Sequence, residues 1–220
     1  MEQLALDLNN GEVPPATIVT PCNAAAFALV DEWPRWSHPV ALVRGGEGTG
    51  KSHLARAFAE RTGAAHLAGE ALRAGDVLQL ARGPVVVDDA DRADERALFH
   101  LINAVRAAGT TLLLTARSRA GIALPDLASR LNATPETVLQ PPDDILLRRV
   151  LVEAFLARQL PADPAVVTFL MARVERTLHA AVQMVERIDK AGLAEQRGPT
   201  RPLAARVLKT GGSIPDDIVP

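Results

Sequence analysis

Short apolar runs alternate with stretches of mixed polarity up to residue 140, and this alternation predicts strands and helices. Continuous apolar runs are typical of buried parallel strands. The intervening stretches carry apolar residues at helical spacing, as in the segment 95–108, which ends before Gly109. Right-handed crossovers between such strands predict an α/β fold, with a parallel five-stranded sheet flanked by helices. The predicted strands are 40–43, 64–67, 85–87, 110–115 and 137–139.

From residue 141 onwards the pattern is helical. Pro141-Pro142 interrupts the chain, and apolar residues then recur at helical spacing in four segments, 143–159, 164–174, 177–192 and 201–209. These segments predict a small all-helical lid domain. We therefore expect a peptide and linker at 1–15, an α/β domain at 16–141, the lid at 142–210 and a loose tail at 211–220.

The segment Gly45–Ser52, here called the glycine loop, matches G-x-x-x-x-G-K-[ST] between a predicted strand and a predicted helix. Its glycines let successive backbone N–H groups point at phosphates, and the start of the helix adds further unpaired N–H groups. The pattern predicts binding of a nucleoside di- or triphosphate with Mg²⁺; the alternative is a glycine-rich turn with a chance Lys-Ser. The candidate nucleotide-binding residues are Gly46, Gly48, Thr49, Gly50, Lys51, Ser52 and His53.

Two carboxylates follow the strand at 85–87, at the strand end where ligands of parallel sheets collect. Asp88 is the candidate Mg²⁺ ligand together with the hydroxyl of Ser52, and Asp89 stands where a water-activating acid belongs. Helix capping is the alternative for this acidic pair. Thr115, at the tip of the strand 110–115, is a candidate sensor of the γ-phosphate or the attacking water, and a capping threonine would look the same.

The composition narrows the function classes. A formal net charge of −2 argues against the broad basic surface of a protein that lives mainly on nucleic acid. The single cysteine, Cys22, excludes an internal disulfide framework and fits a reducing compartment. The sequence has no apolar run of about 18 residues and no signal-peptide pattern, so we expect a soluble cytoplasmic protein without a membrane partner.

The N-terminal segment Gln3-Leu4-Ala5-Leu6-Asp7-Leu8 places three leucines on one side of an extended chain. It resembles the bacterial sliding-clamp-binding motifs of the form Gln-Leu-x-Leu-x-Leu/Phe. In that resemblance Gln3 makes the polar contact, and Leu6 and Leu8 fill an apolar groove. Leu4 is a further candidate clamp-binding residue. A frayed terminus and a small edge strand remain as alternatives.

The order of these parts resembles the AAA+ ATPases, and within them the DnaA/Hda branch. The motifs that carry the resemblance are Gly-Gly-x-Gly-x-Gly-Lys-Ser-His-Leu and Leu-Pro-Asp-Leu-Ala-Ser-Arg-Leu, within residues 16–210. The resemblance implies that Arg130 is an arginine finger, which acts on the nucleotide of a neighbouring protein. It also implies that Arg176 is the sensor 2 arginine of the lid, with Arg173 and Arg187 as nearby alternatives. A surface arginine is the alternative for Arg130.

Two departures weaken the expectation of strong ATP turnover. Ala116-Arg117 stands where the DnaA family usually has an acidic residue after Thr115, and Asp89 is one methylene shorter than the glutamate of most AAA+ enzymes. A lone module of this kind is similar to the Hda-like regulatory inactivators of DnaA, and no helix-turn-helix domain is expected after the lid. The resemblance therefore implies tightly held ADP as a structural ligand.

The hypothesis from sequence is a regulator of replication initiation. It binds ADP or ATP, docks on the DNA polymerase III sliding clamp and promotes hydrolysis of the ATP bound to DnaA. Contact with DNA is then mainly indirect, through the clamp, and a homo-oligomer is possible. The alternatives are a stand-alone AAA+ ATPase that acts as a loader and a DnaA-like initiator fragment.

Overall fold

Five parallel strands form the sheet, as predicted from the sequence. The structure is a computed structural model that describes residues 18–118, 122–161 and 163–210. The strands lie in the order β2-β3-β4-β1-β5, so that β4 lies between β3 and β1. Their bounds are β1 (Val40–Gly45), β2 (Ala65–Ala68), β3 (Val85–Asp88), β4 (Leu112–Ala116) and β5 (Glu136–Leu139).

All the strand pairs are parallel, and their register brings the carboxyl ends to one edge of the sheet. Val43 of β1 is paired with Thr115 of β4, and Val87 of β3 is paired with Leu114. The glycine loop leaves β1 at this edge, and Asp88 ends β3 there. Residues far apart in sequence therefore lie at one edge because the strands run the same way.

Helices cover both faces of the sheet. Alternate strand residues point to opposite faces, so Ala41 and Val43 pack with the helices of one face, whereas Val40 and Leu42 pack with those of the other. The first face carries α1 (Ala24–Asp31) and α2 (Lys51–Thr62). The second face carries α3 (Val77–Leu80), α4 (Glu95–Ala108) and α5 (Pro125–Asn132).

Helix α4 has the predicted bounds, and its ends explain why. The side chain of Asp94 caps the helix by accepting a hydrogen bond from the Ala97 amide at 2.8 Å. Gly109 ends it in the left-handed conformation, at φ 67°. The residues at helical spacing between these caps are buried against the sheet.

Both tryptophans of the chain that precedes β1 pack on one phenylalanine. The ring of Trp36 stacks on Phe58 at 5.4 Å, and that of Trp33 meets it edge-on at 5.8 Å. The indole N–H of Trp33 donates to the hydroxyl of Thr111 at 2.9 Å. Phe58 is 1% exposed, so this cluster ties α2 and the chain before β1 into the core.

The C-terminal region is helical, with small changes from the predicted limits. It contains α6 (Asp144–Ala157), α7 (Pro164–Met171), α8 (Leu178–Glu195) and α9 (Arg201–Thr210). Helix α7 ends three residues earlier than predicted, because the amides of Arg173 and Val174 both turn back to the Leu170 carbonyl. Helix α8 continues past Gly192, the predicted stop. A Cβ there would lie 2.7 Å from the Arg197 carbonyl oxygen, so this glycine permits a close backbone approach within the helix.

The described chain divides into two compact units. The sheet unit comprises Val19–Leu147 and Glu175–Ala180, and the helical unit comprises Arg148–Val174 and 181–210. The division falls inside α6 and again near the start of α8, so both helices contribute to both units. The domain limits inferred from the sequence, 16–141 and 142–210, stay a prediction.

Substitution of Phe58 by alanine tests the aromatic cluster. Phe58→Ala removes a buried ring and leaves Trp33 and Trp36 without their partner, so we expect a loss of about 3–5 kcal/mol in the free energy of unfolding, measured by chemical denaturation. Leu78→Ala is the control, because Leu78 is 80% exposed. It is expected to change that free energy by no more than about 0.5 kcal/mol. Equal losses in the two variants would contradict the burial argument.

Candidate nucleotide-binding site

The glycine loop joins β1 to α2, and two of its glycines have a backbone conformation that other residues resist. Gly48 has φ +69° and Gly50 has φ +100°. The loop is also tightly packed, since a Cβ on Gly45 would lie 2.6 Å from the Thr49 hydroxyl oxygen and 2.9 Å from the Leu139 carbonyl. Gly45, Gly48 and Gly50 therefore stand where the backbone turns or where a side chain would meet neighbouring atoms.

Lys51 is buried at the start of α2, with only 6% of its surface exposed. Its ammonium donates to the carbonyl oxygen of Gly46 at 2.9 Å, and the hydroxyl of Thr49 donates to the same oxygen at 3.0 Å. Among the described residues, no carboxylate lies within ion-pair distance of this ammonium. A buried cation is costly without a counter-charge, so the pocket around Lys51 favours an anionic ligand.

The N-terminus of α2 adds hydrogen-bond donors to this loop. Gly50 is the N-cap and provides no side-chain cap, so the first amides of the twelve-residue helix have no side-chain partner from that position. Such amides and the positive end of the helix dipole favour phosphate. Ser52 is exposed in this first turn, and His53 is half-buried beside it. Gly46 is likewise exposed at the surface of the loop.

The two predicted acids and the predicted sensor threonine meet at the ends of β3 and β4. The hydroxyl of Thr115 donates to the carboxylate of Asp88 and accepts a hydrogen bond from the Asp89 amide at 2.9 Å. Thr115 is fully buried, and both acids are half-buried. One hydroxyl thus fixes the position of both carboxylate residues.

Asp89 has a left-handed backbone, with φ 51°, which is uncommon for a residue with a side chain. Gly69, in a tight turn after β2, packs directly on it. A Cβ on Gly69 would lie 2.2 Å from the Asp89 carbonyl oxygen. Only glycine allows this approach, and sequence reasoning did not identify Gly69 because its partner is distant along the chain.

Arg117, noted in the sequence only as a departure from the family, reaches the glycine loop. Its guanidinium pairs with the carboxylate of Glu47 at 3.0 Å, and its amide donates to Asp91 at 3.3 Å. Both side chains of the ion pair are well exposed, so the pair contributes no more than about 1 kcal/mol. The guanidinium is therefore held only weakly beside the loop.

The segment Glu175–Ala180 belongs to the sheet unit and contacts the glycine loop. The Leu178 amide donates to the Gly48 carbonyl at 3.2 Å, and a Cβ on Gly48 would lie 2.3 Å from the Cβ of Thr177. Arg176 is next to this contact, and its guanidinium pairs with Asp144 at 2.6 Å and with the Pro142 carbonyl at 3.3 Å. This pair is also exposed and contributes little.

The two alternatives to Arg176 lie in the helical unit and are engaged there. The guanidinium of Arg173 lies over the ring of Phe169 at 4.3 Å, and that of Arg187 donates to the Val207 carbonyl. Of the three arginines, Arg176 is the one in the same compact unit as the glycine loop.

A carboxylate at the start of α6 fastens the chain before α1. Burial acts to raise the pKa of the Asp143 carboxyl. Hydrogen bonds from the Leu146 amide and from Thr20 and Cys22 outweigh burial, so this pKa lies below its usual value. The charged form of Asp143 thus holds residues 20–22 against the beginning of α6.

Arg130 lies on α5, the short helix that follows β4. Leu127 and Leu131 of the same helix are buried in the core, and Arg130 is half-buried beside them. Within the described part of the chain, the Arg130 guanidinium has no hydrogen-bond or ion-pair partner. It differs in this from Arg117 and Arg176, which are both paired with carboxylates.

The predicted clamp-binding residues lie outside the residues that the structure describes. Gln3, Leu4, Leu6 and Leu8 fall in the part of the chain that the structure does not describe. In the described ranges, no cluster of three or more His, Cys, Asp or Glu side chains is able to hold a metal. No helix there is long and apolar enough to cross a membrane.

Comparison with known proteins relates the chain to one family. The model of the Hda lid domain matches residues 147–208. An uncharacterized protein of Haemophilus influenzae is 30% identical over 192 residues, which cover 77% of this chain and 81% of that protein. Domain III of the replication initiation protein DnaA from Thermotoga maritima has a TM-score of 0.73 at 17% identity, over 87% of this chain and 93% of its own.

Two further solved structures have the same fold. The Holliday junction branch migration motor RuvB of Thermotoga maritima has a TM-score of 0.67 at 18% identity, and this chain covers 66% of its length. A DnaA structure bound to AMPPCP and single-stranded DNA has a TM-score of 0.64 at 16% identity, over 81% of this chain and 66% of its own. The parallel sheet and the C-terminal helices thus have the AAA+ fold. The chain belongs to the Hda-like AAA+ proteins, which are related to DnaA.

Substitution of Gly48 tests the contact between the glycine loop and Thr177. Gly48→Ala places a methyl group against Thr177 and distorts the loop, so we expect the affinity for a fluorescent ADP to fall about tenfold or more, which corresponds to about 1.4 kcal/mol. Gly63→Ala is the matched control, because Gly63 also has positive φ (+68°) but has no atom within 4 Å of an added Cβ. Gly63→Ala should lower the unfolding free energy by about 1–2 kcal/mol, because an alanine there has an unfavourable positive φ. Its affinity for fluorescent ADP should stay that of the unchanged protein. Unchanged ADP affinity in Gly48→Ala would contradict this assignment.

Proposed function

We propose that this protein regulates replication initiation by promoting hydrolysis of the ATP bound to DnaA. The Hda lid and the DnaA-like fold support a DnaA-related replication regulator. The observation that carries the finer proposal is Arg130, a half-buried guanidinium without a partner in the described part of the chain. An arginine in this state is available to a phosphoryl group of another protein.

The nucleotide of this chain is ADP or ATP. Buried Lys51 and the amides at the start of α2 both favour phosphate, and the pairs of Arg117 and Arg176 are weak enough to exchange for it. A DnaA structure of the same fold holds AMPPCP, which supports this assignment. Gly46, Gly48, Thr49, Gly50 and His53 complete the loop that surrounds the phosphates.

The residues at the strand ends fit a magnesium ion. Magnesium is usually held by one or two carboxylates together with substrate phosphates and water, and the Asp88 carboxylate ends β3 at the edge of the sheet where the glycine loop begins. Asp88 and the hydroxyl of Ser52 would hold it. When bound, the ion neutralises charge on the phosphates.

The chain's own hydrolysis is weak in this proposal. Asp89 has a short side chain and a left-handed backbone. Its backbone amide donates a hydrogen bond to the hydroxyl of Thr115. Arg117 brings a positive charge to the position where related proteins carry an acid. We infer that ADP stays bound and stabilises the sheet unit, while the productive hydrolysis takes place on DnaA.

In this proposal Arg130 acts on the ATP bound to DnaA, and docking on the sliding clamp brings the protein to DNA. A guanidinium is always charged and presents several donors in one plane, which suits a phosphoryl group that gains charge in the transition state. Gln3, Leu4, Leu6 and Leu8 would dock on the sliding clamp, so the protein meets DNA mainly through that ring. A homo-oligomer is compatible with the same arrangement.

The first test removes the finger. Arg130→Ala is expected to reduce the stimulated hydrolysis of DnaA-bound ATP by about 10³-fold or more, because finger arginines contribute that much in other nucleotide hydrolases. The assay is the rate of phosphate release from DnaA–ATP in the presence of clamp, DNA and this protein. Binding of ADP and of the clamp should not change.

Arg82→Ala is the matched control for the finger. Arg82 is exposed, precedes β3 and lies at the edge of the sheet opposite to the glycine loop. It should stimulate hydrolysis as the unchanged protein does. If Arg130→Ala stimulates equally well, the assignment of the finger is wrong.

The second test removes the clamp contact. Replacing Leu6 and Leu8 by alanine should abolish capture of the protein by the immobilised clamp, because the two side chains are proposed to fill its apolar groove. The thermal unfolding midpoint should stay the same. Leu78→Ala with Leu193→Ala is the matched control, since these leucines are 80% and 72% exposed elsewhere on the chain. Retained capture of the Leu6/Leu8 variant would refute clamp docking through this peptide.

A further inference from the structure

The helix that carries Arg130 is held at its start by a carboxylate from another helix. Glu95, the first residue of α4, accepts hydrogen bonds from the two amides that precede α5. One carboxylate oxygen is 2.8 Å from the Ala123 nitrogen, and the other is 2.6 Å from the Leu124 nitrogen. Both carboxylate oxygens of Glu95 thus accept hydrogen bonds from the backbone just before α5, the helix that carries Arg130, here called the finger helix.

The sequence around α5 does not supply this fastening itself. The N-cap is Leu124, whose side chain has no acceptor, and Pro125 in the first turn has no N–H. Hydrogen bonds to a carboxylate are about twice as strong as neutral ones, and a negative charge near a helix N-terminus is favourable. Glu95 therefore takes the part of a cap from 28 residues away along the chain.

Packing alone leaves room for α5 to shift. Leu127 and Leu131 are buried against the sheet, but a cavity of about 80 Å³ lies beside them and is lined also by Glu95 and Leu98 of α4. Apolar contacts lack direction, so they do not define the rotation or the exact height of a helix of eight residues. The two hydrogen bonds to Glu95 have that direction.

Glu95 belongs to a segment that directly follows the predicted acids Asp88 and Asp89. Asp91, in the tight turn Ala90–Arg92, accepts from the Arg117 amide, where the connection to α5 begins. Glu95 accepts from the amides where that connection ends. Carboxylates on the segment after Asp89 thus hold both ends of the chain that leads to the finger helix.

We propose that Glu95 is a positioning residue for Arg130: its carboxylate sets the entry of α5, and so places the finger guanidinium on the phosphoryl group of DnaA-bound ATP. This inference rests on the proposed function. The step itself stays that of the finger, and Glu95 contacts neither nucleotide nor substrate. A displacement of about 1 Å in a reacting group is able to cost about 10²-fold in rate, so such a residue has a measurable effect.

The test compares Glu95→Ala and Glu95→Gln with Arg130→Ala in the DnaA–ATP hydrolysis assay. Two quantities are measured, the maximal stimulated rate and the concentration of this protein that gives half of it. Glu95→Ala should lower the maximal rate about 10²-fold with the half-stimulating concentration unchanged, because docking surfaces are intact and the guanidinium is misplaced. Glu95→Gln should give a smaller loss, since its carbonyl oxygen still accepts one amide while its NH₂ group faces the other.

Asp126→Asn is the matched control. It removes a carboxylate from the first turn of the same helix, and among the described residues Asp126 forms no hydrogen bond to another segment. The maximal rate should stay close to that of the unchanged protein. An equal loss in Asp126→Asn would overturn the proposal, because it would assign the effect to charge near α5.

Thermal unfolding and fluorescent ADP binding separate positioning from folding. Both glutamate variants should keep the ADP affinity, and Glu95→Gln should keep the unfolding midpoint within a few degrees. A maximal rate unchanged in Glu95→Gln and Glu95→Ala, with Arg130→Ala inactive, refutes the role of Glu95 and leaves the finger intact. If Arg130→Ala is as active as the unchanged protein, the proposed function fails first.

Discussion

The parallel pairing of β3, β4 and β1 is the constraint on which the candidate site depends. Because the strands run the same way, their carboxyl ends meet, and the buried hydroxyl of Thr115 on the middle strand engages both Asp88 and Asp89. The glycine loop begins at the end of the next strand. A single register error of one residue would turn Thr115 to the other face and separate these groups.

The charges around the loop explain why the site favours phosphate. Lys51 is buried with only carbonyl contact, whereas Arg117 and Arg176 form exposed pairs with Glu47 and Asp144. Exposed pairs contribute little, so an anionic ligand has little to displace. Lys51 is the buried cation of the three, so the attraction for an anionic ligand is strongest beside its ammonium group.

Hydrogen bonds at the starts of two helices position residues of the candidate site. Helix α8 starts with an amide bonded to Gly48, and α5 starts with amides bonded to Glu95. In each case hydrogen bonds from backbone amides at the start of the helix join it to a segment that is distant along the chain. Hydrogen bonds have direction, so they define the position of a helix end more closely than apolar burial does.

The sequence by itself determined most of the elements and identified the motifs. Helix α4 ends at the predicted residues because Asp94 and Gly109 are local caps, and β1, β3 and β4 were visible as apolar runs. Tertiary structure alone decided that Gly69 lies under Asp89, that Gly192 sits inside α8, and that Glu95 holds α5. The reason is physical: caps and periodicity act within one or two turns of chain, whereas these contacts join backbone atoms that only the packing of distant segments brings together.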